Sequence, residues 1–358
     1  MALSGNKGEW SEAYVFMWIA AHGVLYACDS ELNRLPDDSF LPVKRIIREE
    51  TKNQPFSFHV AKDGVAIEDA DGNIRETVPF EEFSSHAQEL LDEIVEAKGS
   101  RSFAFPLTEE FLDSVYVTKL KAPSSDKTDI TLEVHDPQTG TDLVKGWSVK
   151  SELGNPPTLL NAGKTTNFVY EIIDFDASDI EEVNEIDQGN KIIKRVEKIE
   201  ELGGSLEFSH AASPIFERNM RLVDSFFPAI MAEALKLFYL GRASKCAEIV
   251  ELLEEEDPLS LGSGMYEYKF KKFLASSALS MKPATEWDGR DDATGGYIIV
   301  TKTGDVVAFH IYNRDQFEDY LLQNTRFEKA STSRHGFAEA YVDNNVPFFN
   351  LNLQIRFI

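Results

Sequence analysis

The chain has 358 residues, 42% of them hydrophobic and 27% charged, which is enough for a sizeable buried core and argues against wholesale disorder. No apolar run reaches the ~18–20 residues of a membrane span, and the opening MALSGNKGEWSE meets charge before any apolar core, so no signal peptide is expected. With 36 basic against 61 acidic residues the net charge is −25, so affinity for a polyanion has to be confined to a local basic groove.

The first predicted element is a helix over GEWSEAYVFMWIAAHG (8–23), whose apolar residues fill successive turns until Gly23 stops it. Strand-like runs follow at VLYACD (24–29), PVKRIIREE (42–50), FSFHVAKDG (56–64) and VAIEDADGNIRETV (65–78), the last turning at Asp71-Gly72. A helix over FEEFSSHAQELLDEIVEAKG (80–99) closes this stretch, and TEEFLDSVYV (108–117) opens the next with a soft boundary. KTDITLEVHD (127–136), the turn PQTG (137–140) and LVKGWSVKSELG (143–154) read as a β pair. PPTLLNAG (156–163) reads as a short helix starting after Pro157, and TTNFVYEIIDF (165–175) as a buried strand. Residues 214–282 are expected to be mostly helical. Strands return in YIIVTKTGDVVAFHIYN (297–313), then a short helix in RDQFEDYLLQN (314–324) and a polar loop, EKASTSRHG (328–336). FAEAYV (337–342) and NLNLQIRFI (350–358) end the chain as strands, so the class is mixed α and β.

Two cysteines, Cys28 and Cys246, show no metal spacing and fit a reducing cytoplasm. Zinc and redox chemistry are therefore set aside. Acidic runs such as 176–187 and 252–257 read as solvated surface. Lys269, Lys271 and Lys272 read as phosphate contacts or as solubilising charges on a helix. His210 and His310 read as satisfied core or surface residues.

Within GWSVKSELG, the polar Ser148, Lys150 and Glu152 alternate with Trp147 and Val149, so a strand would carry them on one face. Asp129 opens the preceding strand. A carboxylate at a strand start beside a lysine on the next strand suits phosphodiester hydrolysis. Carboxylates hold a hard cation such as Mg²⁺, and the lysine orients or deprotonates water and offsets charge developing on the phosphate. The same pattern also fits a plain β-hairpin.

The wider segment KTDI…GWSVKSELG…TLLNAGKTTNFVYEI resembles the PD-(D/E)XK nuclease core in its Ser-x-Lys variant. Taken with GNKGEWSEAYVF at the start and RFEKASTSRHGF…LNLQIRF at the end, it resembles the HpaII family of type II restriction endonucleases across essentially the whole chain. The resemblance implies a central mixed sheet flanked by helices, with helical and β additions. It also implies Mg²⁺-dependent cleavage of double-stranded DNA at CCGG, giving 5′-phosphate ends. Asp129 takes the family's metal-binding position and Lys150 its catalytic lysine. Ser148 stands where the commoner pattern has a carboxylate, so a second acid has to come from elsewhere. Glu12 in the first helix is favoured, with Glu9, Glu152 and Asn161 behind it; an exposed helix-start residue is the competing account of Glu12.

For reading DNA, the loop holding Arg334, His335, Thr332 and Ser333, flanked by Arg326 and Lys329, is the leading candidate, with Asn161 as a further contact. The expected division is an N-terminal lobe (1–100), a nuclease core (101–210) and a helical and DNA-recognition region (211–358), or one continuous domain. A palindromic target favours a homodimer on DNA, and a cognate methyltransferase acts on the same site. No membrane partner is expected. The −25 charge also motivates a rival: a non-catalytic acidic protein that mimics DNA on a degenerate nuclease fold.

Overall fold

The computed structural model describes residues 3–36, 39–51, 54–99, 102–120 and 128–358. In chain order its elements begin with α1 (Lys7–His22), β1 (Val24–Ala27), β2 (Phe40–Thr51), β3 (Gln54–Ala61), β4 (Gly64–Glu68) and β5 (Ile74–Val78). Next come α2 (Phe80–Glu96), α3 (Pro106–Ser114), β6 (Ile130–Asp136), β7 (Thr141–Ser151), β8 (Thr158–Leu160), β9 (Asn167–Ile173), α4 (Ile180–Asn184), α5 (Lys191–Glu201) and β10 (Ser205–Ala211). Four helices follow: α6 (Pro214–Val223), α7 (Phe227–Tyr239), α8 (Cys246–Glu256) and α9 (Met265–Leu279). The chain closes with β11 (Gly296–Val300), β12 (Val306–His310), α10 (Arg314–Gln323), β13 (Thr325–Phe327), α11 (Thr332–His335), β14 (Ala340–Asp343), β15 (Val346–Asn352) and β16 (Ile355–Phe357). Among the described residues, no helix is long and apolar enough to cross a membrane.

The chain forms two compact units, residues 1–157 with 291–317, and residues 158–290 with 318–358. These bounds differ from the expected divisions at 100 and 210, because pairing between distant strands overrides sequence order. In the first unit a nine-stranded sheet runs β1-β12-β11-β7-β6-β2-β3-β4-β5. The expected lobe and core are thus one sheet, and β11 and β12, from far along the chain, complete it.

Most neighbours in this sheet are antiparallel, but β11 lies parallel to β7 and β12 parallel to β1. β1 also pairs antiparallel with the start of β2, so six strands are joined in a closed ring of pairings. Helix α1 is apolar on nearly every side, and its residues from Trp10 to Ala20 are buried with the exception of Glu12. A helix of that kind belongs inside a core, and α1 packs there with α2, the sheet and Phe111 of α3. An Asn6 capping box starts α1, and Gly23 ends it in a left-handed conformation at φ 63°. Within the sheet, Gly296 opens β11 at φ 131°, where a Cβ would lie 2.0 Å from the Phe309 carbonyl oxygen. Only glycine fits there.

Asp136 ends β6 with its carboxylate accepting from the Tyr312 and Thr139 hydroxyls and the Gln138 N–H. The Tyr312 hydroxyl above all, against the opposing effect of burial, holds this carboxyl down at about 2. A folded value below the ordinary 3.8 gives stability that is present at neutral pH and lost as pH falls from about 4 toward 2. Tyr312→Phe is therefore expected to move acid unfolding to higher pH, read by circular dichroism. An unchanged acid midpoint would refute this.

The second unit holds two smaller sheets, β10-β9-β15-β14 and β13-β16-β8, together with α4 to α9. β9 is a central strand, buried along most of its length, as its apolar run predicts. Four elements named here differ from expectation. PPTLLNAG forms strand β8 rather than a helix, because Leu160 pairs with Ile355 and Thr158 with Arg356 of the C-terminal strand. The polar loop 328–336 contains the one-turn helix α11, capped by the Ser331 hydroxyl. Helix α5, a strongly amphipathic stretch, and the edge strand β10, which pairs with β9, are not anticipated from sequence. The expected helices across 214–282 are present as α6 to α9.

Lys269, Lys271 and Lys272 on α9, expected as phosphate contacts or as solubilising charges, are each ion-paired. Lys269 pairs with Asp224, Lys271 with Glu267 and Asp319, and Lys272 with Glu318.

Candidate active site

The hairpin of β6 and β7 places the acid and the lysine as their spacing predicts. Ile130 faces Trp147 in the antiparallel register, so Asp129, one residue earlier, faces Ser148. The Asp129 N–H donates to the Trp147 carbonyl at 2.8 Å, which fixes the start of the strand. Lys127, at the head of the predicted strand, lies outside the described residues.

Asp129 Oδ2 is held from three sides. It accepts from the Val149 N–H at 2.7 Å and from the Ser148 hydroxyl at 3.1 Å, and Lys150 Nζ stands 3.8 Å away. Oδ1 has no hydrogen-bond partner among the described residues. Lys150 Nζ also donates to the Val149 carbonyl at 2.9 Å and to Ser148 Oγ at 3.3 Å. Its ammonium lies 5.7 Å from the centre of the buried Tyr297 ring, on the parallel neighbour β11. Ser148, 1% exposed, is thus a strut between acid and lysine rather than a replacement carboxylate.

The first helix supplies the second acid to this cluster. Glu12 is partly buried, and its Oε2 is fully buried with no hydrogen-bond partner among the described residues. Burial first, and the nearby Asp129 carboxylate second, push its carboxyl up to about 8, while Lys150 and Arg48 pull in the opposite direction. Arg48, which gave no signal in the sequence, is fixed on β2 by Glu50 and the Lys119 carbonyl. A latch holds helix to strand: the buried Ser11 hydroxyl donates to Ser151 Oγ at 2.8 Å, one residue from Glu12 on one side and Lys150 on the other. The spacing of polar residues offered no warning of that contact, because each serine alone looks incidental.

Glu9 and Glu152, the other acids considered, are engaged elsewhere. Glu9 closes the capping box by accepting from the Asn6 N–H at 2.8 Å. Glu152 lies past the end of β7, where its carboxylate accepts from the Lys302 N–H at 3.2 Å. Strict alternation would have kept it beside Lys150, but the strand has already ended. Asn161 belongs to the second unit. The account of Glu12 as an exposed helix-start residue fails, since its carboxyl is turned into the sheet.

The residues proposed to read DNA also lie in the second unit. Arg334 and Ser333 are exposed on α11, with Thr332 and His335 partly buried beside them. Lys329 is exposed on the approach to α11. Arg326 is less free: it lies opposite Arg356 between β13 and β16, and both stand near Glu328.

Two carboxylates on different elements, one with an unpartnered buried oxygen, present hard oxygen donors to a cation. Among the described residues no group of three or more His, Cys, Asp or Glu side chains forms a fuller cage. Two carboxylates is the number with which Mg²⁺ is commonly held when substrate phosphate supplies further oxygens, so these residues fit that ion.

Comparison with known proteins gives the same direction. The model of the HpaII restriction endonuclease family matches residues 6–357. The type II restriction enzyme HpaII of Haemophilus parainfluenzae is 40% identical over 359 residues, covering 99% of this chain and 99% of that enzyme. No solved structure matches the chain. With a family match from the first helix to the last strand, and an acid–lysine hairpin at its centre, the chain belongs to the HpaII restriction endonuclease family and is a type II site-specific deoxyribonuclease.

Proposed function

We propose that this enzyme cleaves double-stranded DNA at CCGG with Mg²⁺, through Asp129, Lys150 and Glu12 on a PD-(D/E)XK-type core. The observation that carries the assignment of the site is the convergence of Asp129, Lys150 and an unpartnered buried Glu12 oxygen from three separate elements. The CCGG target is supported by the 40% identical relative named HpaII. Family membership removes the non-catalytic acidic mimic from consideration.

Asp129 and Glu12 would hold the cation, which when bound withdraws charge from the scissile phosphate and its attacking water. Ser148 and the Val149 N–H occupy Asp129 Oδ2, which turns Oδ1 outward as the free donor. Lys150 places a positive charge beside the reacting phosphate, where it orients the attacking water and stabilises the negative charge gained in the transition state. The Ser11–Ser151 latch keeps Glu12 in register with Lys150. In the second unit, Arg334 offers a bidentate donor for guanine O6 and N7, with Lys329, Thr332, Ser333, His335, Arg326 and Asn161 as supporting contacts. A palindrome is met most simply by a homodimer whose two-fold axis coincides with that of the site. A methyltransferase protecting CCGG would complete the restriction–modification pair.

The test is digestion of a plasmid of known sequence with Mg²⁺, followed by sequencing of the ends. Discrete fragments bounded by CCGG with 5′-phosphates support the reading. Fragments ending at a different sequence would refute the target, and cleavage independent of any divalent metal would refute the cation's role.

A further inference from the structure

Two segments of the second unit stand out in a chain of net charge −25. Residues 158–170 and 329–338 contain no Asp or Glu. The only acid flanking the second segment on its N-terminal side, Glu328, is paired with Arg356. Elsewhere in this unit cations are commonly matched, as in Lys236 with Glu233, Arg242 with Glu256 and Lys272 with Glu318. Lys164 and Arg334, one in each segment, are exposed and make no ion pair among the described residues.

A buried amide relay ties the two segments together. The Asn167 side-chain amide donates to the His335 carbonyl at 3.0 Å and the Gly336 carbonyl at 3.3 Å, at the end of α11. Asn352, on the paired strand β15, donates to Asn167 Oδ1 at 2.6 Å and to the Gly163 carbonyl at 2.8 Å. Thr166 closes the turn that carries Lys164 by accepting from the Gly163 N–H, and its own carbonyl accepts from the Leu353 N–H at 2.9 Å. Asn352 and Thr166 are 0% exposed and Asn167 4%. Asn167 is satisfied through both its amide nitrogen and its oxygen, and a buried amide held in this way acts as a strut, so the Lys164 turn and α11 are tied to one frame.

We propose that the 163–166 turn is part of the DNA interface, with Lys164 contacting backbone phosphate and Asn167 acting as the positioning residue that holds α11 in register with it. This rests on the reading of Arg334 as a base-reading residue. A phosphate contact fixes how a recognition element sits on the duplex without itself carrying sequence information. The unpaired lysine on the Gly163–Thr166 turn and the arginine on α11 divide those two tasks.

Binding to two labelled duplexes, one containing CCGG and one with the site scrambled, tests this without added divalent metal. Lys164→Ala is expected to weaken both duplexes alike, by about 5-fold, and to reduce the salt slope of binding by about one. Lys164→Arg should restore both. Asn167→Asp retains size but cannot donate to the two carbonyls, and is expected to lower the preference for CCGG at least ~10-fold while binding the scrambled duplex as before. Wild-type affinity and salt slope in Lys164→Ala, or wild-type preference in Asn167→Asp, would overturn the corresponding part. Arg334→Ala separately tests the reading beneath: if it keeps full CCGG preference, α11 does not read bases, whatever Lys164 does. Should Asn167→Asp fail to fold, the surface variants at 164 still decide the interface.

Discussion

Lys150→Ala is expected to abolish DNA cleavage, lowering the single-turnover rate by at least ~10³-fold, while leaving the fold unchanged. The side chain is 29% exposed and lies outside the hydrophobic core, so its loss creates no large cavity. What is lost is the Lys150 ammonium beside Asp129, held by Ser148 Oγ and the Val149 carbonyl and backed by Tyr297. Among the described residues no second cation takes its place, because the Arg48 guanidinium is committed to Glu50 and the Lys119 carbonyl. Asp129→Asn should be comparably inactive, since an amide is a weak donor to a hard cation and can still accept from the Val149 N–H. Single-turnover nicking of supercoiled plasmid, with circular dichroism as the control for folding, measures both. A Lys150→Ala rate within tenfold of wild type would remove the lysine from the chemistry.

Glu12→Gln is expected to separate activity from stability. Cleavage should fall at least ~10²-fold, because one of the two carboxylates is gone. The metal-free protein should nevertheless become more stable at alkaline pH. Burial and the neighbouring Asp129 hold the Glu12 carboxyl at about 8, against 4.5 when free. The folded state therefore keeps a proton that the unfolded chain has lost, and stability falls as pH rises from about 4.5 to about 8. Gln carries no such proton, so its stability lacks that slope. At pH 8.5 in the presence of chelator, Glu12→Gln should exceed wild type by on the order of 2 kcal/mol, a figure already discounted for the partial exposure of the group. The gain should vanish near pH 5. Denaturant unfolding at the two pH values gives the comparison, and a variant less stable than wild type at pH 8.5 would show that Glu12 is better satisfied than its geometry indicates. Active sites commonly sacrifice stability in this way for a charge that only the bound state satisfies.

Much of this was legible from local pattern. Helix α1 announced itself by apolar residues in successive turns and a glycine stop, and GWSVKSELG by its alternation. Asp129 and Lys150 pair by spacing alone, because a short turn forces two consecutive strands to lie antiparallel, and that brings the start of one beside the end of the other. Family resemblance extended this to the whole chain, and the comparisons show it.

Local pattern fails where a residue's environment is set by a distant partner. PPTLLNAG has the proline start of a helix, yet Ile355, almost two hundred residues on, recruits it into a strand. The division at 100 could not survive a sheet in which β2 pairs with β6 and β11 with β7. Among the acids, the sequence favours Glu12 over Glu9 and Glu152, but spacing fixes only which side of an element a residue occupies and cannot settle the choice. The capping box takes Glu9, the end of β7 releases Glu152 to Lys302, and the packing of α1 on β7 turns Glu12 inward beside Asp129. The sequence alone determined the acid–lysine hairpin and the family, because both depend on neighbours along the chain. Only the tertiary structure decided which acid joins them and what Ser148 does, because a carboxylate's partners and burial belong to the surfaces that folding brings together.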